Sequence, residues 1–365
     1  MNKKRKICIV ACAVLAMETT KNKKKKRHIW QKKWLAEREK YSHMSLLREL
    51  RDNDPGDFKN YLRMESNTFD ELLSLMRPYL SKQDTAMRQS IPADERLIAT
   101  LRFLATGRSY EDLKFTTGIS AQALGRIIPE TCKALYEVLH KDYLKMPSSE
   151  DDWRIVDEGF NSQWQIPNCG DAIDGKHIRI FPPPNTGALY YNYKNFYSIV
   201  LMAIVNAEYE FLYVDVGKNG RLSDGGVLGY TTFFRHLISD RLYLPHITET
   251  TANLNFVFIG DEAFALHDHI LKPFSQRDHT HERRLYNYRL SRGRNVVENV
   301  FGLIAARFQI LHTPINVAVL KVCYFIMAIC VLHNFLKRKA RSYVSGNALD
   351  SVNATSHEIN YNAEW

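Results

Sequence analysis

The chain has 365 residues, 45% hydrophobic and 25% charged, a composition that excludes a disordered or fibrous protein and leaves room for two or three domains. Its net charge of +10 is concentrated in residues 1–40, which hold 14 Lys and Arg against 3 Glu, so the remainder is close to neutral. Six cysteines, at 8, 12, 132, 169, 323 and 330, show no CxxC pair, which argues against a disulfide framework or zinc site and for reduced thiols in an intracellular protein.

The N-terminal segment admits two readings. Lys3-Lys-Arg-Lys6 ahead of the apolar residues 7–17 has the charge order of a secretory signal, yet that run is too short to span a bilayer as a helix. A second basic block over 21–27 fits a nuclear-type tail, which points to the nucleus, with the cytoplasm as a second location and no membrane. Residues 1–55 therefore read as a basic, partly helical tail whose Trp30 and Trp34 dock onto the body.

Asp54-Pro55-Gly56 is a turn signal. Thr68-Phe-Asp-Glu71 has the form of a capping box, Phe69, Leu72, Leu73 and Met76 follow at helical spacing, and Pro78 marks the helix end. Over 93–139 the pattern is helix, turn, helix: Leu97, Leu101 and Leu104 make one apolar face closed by Gly107. A short helix covers 109–116, Gly118 turns the chain, and Ser120 caps a helix carrying Leu124, Ile127 and Ile128. This all-α region, 56–146, suits either a helix-turn-helix DNA reader, with Arg126 and Lys133 on its second helix, or a generic helical bundle.

After a polar connector at 147–152 the chain changes character. Strands are predicted over 173–181, 196–205 and 210–216. Gly217 and Gly220 bracket a loop, and an amphipathic helix runs from Ser223 through Val227, Tyr230, Phe234 and Leu237. A further strand over 255–259 ends at Gly260-Asp261, and a loop rich in His and Arg spans 267–294. Helices cover 295–311 and 318–336, and a polar tail fills 341–365. The order predicts an α/β domain with a mixed sheet over 165–340.

Asp174 stands within the first of these strands, where an unpaired carboxylate carries a large desolvation cost. Asp261 follows a strand, Asp224 opens a helix, and Glu298 lies on a helix with Arg294 one turn before it. Acids gathered without cations repel one another, so such a set calls for a shared divalent ion with oxygen preference, Mg²⁺ or Mn²⁺. Taken singly, each acid has an ordinary structural explanation. His333 and Asn334, inside the last apolar helix, read as core hydrogen-bonding residues.

Ala172-Ile-Asp174-Gly-Lys-His-Ile178, Gly260-Asp261-Glu-Ala-Phe264 and Arg294-Asn-Val-Val-Glu298-Asn-Val-Phe-Gly302 resemble the three acidic blocks of PIF/Harbinger transposases and the nucleases derived from them. Asn192-Tyr-Lys-Asn-Phe-Tyr-Ser198, Arg307-Phe-Gln-Ile-Leu311 and Leu332-His-Asn-Phe335 extend the resemblance across most of the chain. It implies a ribonuclease H-like DDE catalytic domain in which Asp174, Asp261 and Glu298 are catalytic and, with Asp224, hold two divalent cations. It further implies hydrolysis of DNA phosphodiesters and a separate Myb-like DNA-binding partner, in which case residues 60–140 dock a protein instead of reading DNA. Lys176 departs from the small residue usual at its position and either binds phosphate or weakens metal binding. Arg283, Arg284, Arg289, Arg292 and Arg294 are expected to contact flanking phosphates. The alternative is an inert DNA- or chromatin-binding protein that kept the fold and lost the chemistry.

Overall fold

Residues 198–205, Ser-Ile-Val-Leu-Met-Ala-Ile-Val, carry no charge and are rich in β-branched side chains, which suits a strand covered on both faces. The computed structural model describes residues 32–86, 89–246, 254–275 and 280–339. In it this run lies in a five-stranded sheet of β1 (Cys169–Arg179), β2 (Ser198–Val205), β3 (Phe211–Asn219), β4 (Val257–Ile259) and β5 (Ile270–Leu271), ordered β3-β2-β1-β4-β5. β1, β2 and β3 pair antiparallel, whereas β4 and β5 add in parallel at the other edge of β1. The expected ribonuclease H-like mixed sheet is thus the one that forms.

All of β2 is buried because alternate side chains enter two cores. Ile199, Leu201, Ala203 and Val205 join the larger core, and Val200, Met202 and Ile204 join the smaller. The larger core is continuous with the helices that precede the sheet: α1 (Met44–Asn53), α2 (Pro55–Leu62), α3 (Ser66–Leu80), α4 (Ala93–Thr106), α5 (Tyr110–Thr117) and α6 (Ala121–Tyr143). The smaller is closed by Trp153 of α7 (Glu150–Trp164), by α8 (Asp224–Gly229) and by α9 (Thr232–Ile238). Two long helices, α10 (His281–Arg307) and α11 (Val319–Lys339), complete the larger core.

The helix-turn-helix pattern forms as expected, with Ser109 and Ser120 accepting N-cap hydrogen bonds from Asp112 and Ala123. α6 packs chiefly against α11 and α4 and leaves Gln122, Arg126, Glu130, Lys133 and Glu137 on its open face. Acids alternate with cations there, and Lys133 is paired with Glu137 at 3.5 Å. Trp34 stacks on Phe115 with ring centres 5.7 Å apart, which docks its segment onto α5. Residues 1–31, with Trp30, Cys8, Cys12 and both basic blocks, and the 341–365 tail lie outside the described residues.

Several local expectations are corrected. Pro55 occupies the first turn of α2, where its missing N–H costs nothing, so Asp54-Pro55-Gly56 starts a helix and not a turn. α3 begins at Ser66, leaving Thr68 buried inside it without a capping box. It runs past Pro78, because burying Met76 and Leu80 outweighs one lost backbone bond. Ser149 and Asp152 form a capping box that opens α7 in what reads as a connector. Gly217 lies within β3, and the helix expected over 223–237 divides in two where Thr231 caps α9. The loop expected over 267–294 ends at Thr280, which caps α10 fourteen residues before the expected start at Asn295.

α11 is the one described helix long and apolar enough to cross a membrane, yet 67% of its apolar window is buried within the protein. Its His333 and Asn334 are fully buried and hydrogen-bonded, as expected: His333 Nε2 to the Tyr209 carbonyl at 2.8 Å, Asn334 to both backbone groups of Phe211. The four described cysteines, Cys132, Cys169, Cys323 and Cys330, are free thiols.

Asp171 in β1 combines three unfavourable features. It is fully buried, its φ is +143°, and neither carboxylate oxygen has a hydrogen-bond partner. Burial, and then the charge of Glu208, raise its carboxyl well above the ordinary range. A folded-state value above the unfolded one means stability is lost as pH rises from the unfolded range. Asp171→Asn should therefore gain stability over the parent as pH rises from 5 to 8, with a slope that linkage of one proton limits to about 1.4 kcal/mol per pH unit. Urea unfolding at both pH values checks this, and a pH-independent difference would contradict it.

Candidate metal centre

The parallel register of β1 and β4 sets Ala172 beside Ile259. Two residues further along each strand stand Asp174 and Asp261, so the pairing brings these acids level at the carboxyl end of β4. Asp224 arrives from the first turn of α8, whose N-cap Ser223 accepts from Gly226. Carboxylate oxygens of Asp174, Asp224 and Asp261 all lie within 4.8 Å of one another.

Gly175 makes room for this meeting: a Cβ there would stand 2.0 Å from Asp224 Oδ1. Gly175→Ala should displace Asp224 and lower Mn²⁺ affinity about 10- to 100-fold. Titration calorimetry reads that loss, and an unchanged affinity would remove Asp224 from the ligand set.

Burial, more than mutual repulsion, holds back the ionisation of the group. It pushes Asp174 up to about 7 against the Gly175 N–H bond at 2.8 Å and the charge of Arg294, with Asp224 and Asp261 raising it further. Burial and then the charge of Asp261 push Asp224 to about 6, while Lys194 opposes them. Asp224 Oδ1 is buried with no hydrogen-bond partner. An all-oxygen donor set, three clustered acids and one orphaned carboxylate oxygen together fit a hard divalent cation.

The family comparison accords with this geometry. Residues 173–334 match the DDE superfamily endonuclease family. The chain carries a DDE superfamily endonuclease domain. The chain is 24% identical over 323 residues to "Protein ALP1-like" of Arabidopsis thaliana, covering 84% of this chain and 76% of that protein. It is 24% identical over 266 residues to "Putative nuclease HARBI1" of Rattus norvegicus, with 72% of each chain covered. The Homo sapiens protein of the same name is 23% identical over the same length and coverage. No solved structure matches the chain.

The remaining residues expected at the endonuclease site divide. Glu298 is not within the acid cluster; its Oε1 is held in an ion pair by Arg294, one turn earlier on α10. Arg294 is also near enough for its charge to favour ionised Asp174. Lys176 is pressed over the ring of Phe301, its Nζ 5.5 Å from the centre, and burial lowers its ammonium although the charge of Asp174 raises it. A cleft of about 680 Å³ opens beside Asp261 and is lined by Arg284, Ser291 and Arg294 among others. Arg289 and Arg292 are exposed on α10 and do not themselves line the cleft, although Arg292 lies over the ring of its lining residue Tyr288 at 5.8 Å, as Arg283 does over Phe274 at 5.0 Å.

The expected loop over 267–294 covers the first half of α10, and it hides the fact that Arg284 and Arg294 line one cleft. The signal was present: Tyr286, Leu290, Gly293 and Val297 recur at helical spacing, and the last three are buried.

Proposed function

We propose that this protein is a metal-dependent DNA endonuclease that hydrolyses phosphodiester bonds, with two Mg²⁺ or Mn²⁺ ions held by Asp174, Asp224, Asp261 and Glu298. The observation that carries the reading is the meeting of three carboxylates from three separate elements, one with an orphaned buried oxygen. Divalent ions bound there supply Lewis-acid stabilisation and activation of water at neutral pH. Asp174, Asp224 and Asp261 fix the position of positive charge against a scissile phosphate. Arg284 and Arg294, facing the cleft, hold flanking phosphates. Releasing Glu298 from Arg294 when Arg294 turns to DNA adds the fourth carboxylate, so substrate binding completes the site. Lys176, Arg289 and Arg292 add phosphate affinity. The family and the nuclease in the relatives' printed name support this reading.

A nuclear location and a Myb-like partner are part of the same proposal, supported by the basic N-terminal sequence and by the Harbinger resemblance.

The test is relaxation of supercoiled plasmid in Mg²⁺ or Mn²⁺, stopped by a chelator and by Asp261→Asn. Nicking that survives both would sink the proposal. The Arg294–Glu298 pair favours one second reading, a DNA-binding protein without cleavage, in which Arg294 permanently occupies the fourth acid. Absence of nicking together with undiminished DNA binding in Asp261→Ala would select it.

A further inference from the structure

The connection from β1 to β2 is built around a buried asparagine. Asn192, 3% exposed, accepts from the N–H groups of Lys194 at 3.0 Å and Phe196 at 3.2 Å through Oδ1 and donates to Ser198 Oγ at 2.9 Å. Ser198 Oγ is also bonded to Nδ1 of His177 on β1 at 2.9 Å, and the His177 ring meets Tyr193 at 5.5 Å in an edge contact. Gly220 seals the other side: a Cβ there would lie 2.1 Å from Ser198 Oγ and 3.0 Å from the Tyr190 carbonyl oxygen. The loop is thereby locked against the turn that leads into Ser223 and Asp224.

This network ends in two side chains that face solvent. Tyr193 is 72% exposed, and Lys194 places Nζ 5.3 Å from its ring centre. His177, which holds Tyr193, follows Gly175 by two residues on the same face of β1, and Gly175 is packed directly against Asp224, so the Tyr193-Lys194 pair stands beside the acids. A fixed aromatic face and a cation at the rim of a phosphodiester site match the two parts of a nucleotide, its base and its phosphate. In an intact duplex both faces of each base are already stacked, so only an unpaired base has a face to offer.

We propose that Tyr193 and Lys194 form a subsite for an unpaired nucleotide beside the scissile bond, Tyr193 stacking on the base and Lys194 pairing with the phosphate. The preferred substrate is then DNA with an unpaired base at the cleavage point, such as the junction of a duplex and a single-stranded tail. The proposal rests on the endonuclease reading for its place in a reaction; binding does not require cleavage.

The test uses the full chain in Ca²⁺ with two DNAs carrying 2-aminopurine, one fully paired and one with the probe in a single-stranded tail. The parent should bind the tailed DNA about 10-fold more tightly and quench its fluorescence. Tyr193→Phe should keep both effects, and Tyr193→Ala should lose both while binding paired DNA as before. Lys194→Ala should weaken binding and reduce the salt dependence by about one counterion, and Lys194→Arg should restore it. Equal binding of the two DNAs by the parent, or quenching retained in Tyr193→Ala, overturns the subsite. A tail preference in a protein that cleaves neither plasmid nor the tailed DNA in Mn²⁺ upholds the subsite and fails the endonuclease reading alone.

Discussion

Asp174→Asn should reduce metal-dependent nicking by about 10³-fold, because divalent ions supply several kcal/mol of transition-state stabilisation and each 1.4 kcal/mol is about tenfold in rate. Asparagine keeps the volume and one oxygen of Asp174 but removes the negative charge that would hold the ions. The same substitution should raise the thermal midpoint of the metal-free protein. Asp174 is held up to about 7 chiefly by burial, with Asp224 and Asp261 adding repulsion, so an uncharged side chain suits the apo site better. A drop in nicking with a rise in stability is the signature of a ligand; a drop in both would mean that the fold had failed. Plasmid relaxation and differential scanning calorimetry on one preparation read the two arms.

Asn334→Ala should cost about 3–5 kcal/mol of stability. Asn334 is fully buried on α11 and spends both ends of its amide on the first residue of β3. Its Oδ1 accepts the Phe211 N–H at 3.0 Å, and its Nδ2 donates to the Phe211 carbonyl at 2.7 Å and to the Tyr143 carbonyl of α6. Alanine would leave three backbone groups buried without partners and a cavity between helix and sheet. Chemical denaturation measures the loss. Asn334→Asp is the sharper companion, since it keeps the acceptor for the Phe211 N–H but faces two carbonyl oxygens with a carboxylate. A cost below about 1 kcal/mol in both variants would show that water or a backbone shift replaces the amide.

The chemistry was more legible in the sequence than its setting. Asp174, Asp224 and Asp261 each stand where an acid is locally expensive or positionally marked, and these are the ones the fold gathers. The i,i+4 spacing of Arg294 and Glu298 was equally visible, but spacing cannot say whether Glu298 spends its charge on that arginine or on an ion. The start of α10 was obscured because its exposed face is dense in Arg and His, which masks the apolar stripe beneath. β5 is two residues long and carries no periodicity to read. Asp171 lies outside the strand expected over 173–181, yet β1 begins at Cys169 and, after a register shift between Cys169 and Asp171, Asp171 is fully buried while Asp174 joins the acid cluster.

The pairing of β1 with β4 has a consequence for how the protein comes to exist in a cell. Asp174 and Asp261 meet only through a parallel contact that spans the β2–β3 hairpin and two helices, the kind of long-range closure that forms late. A chain emerging from the ribosome, or caught half folded, therefore carries every acid and yet has no blade. On the proposed reading, divalent ions would act by mass action on the finished fold alone, deepening its well by an amount set by their concentration. Any cutting of DNA would then be confined to molecules that have already passed the test of folding.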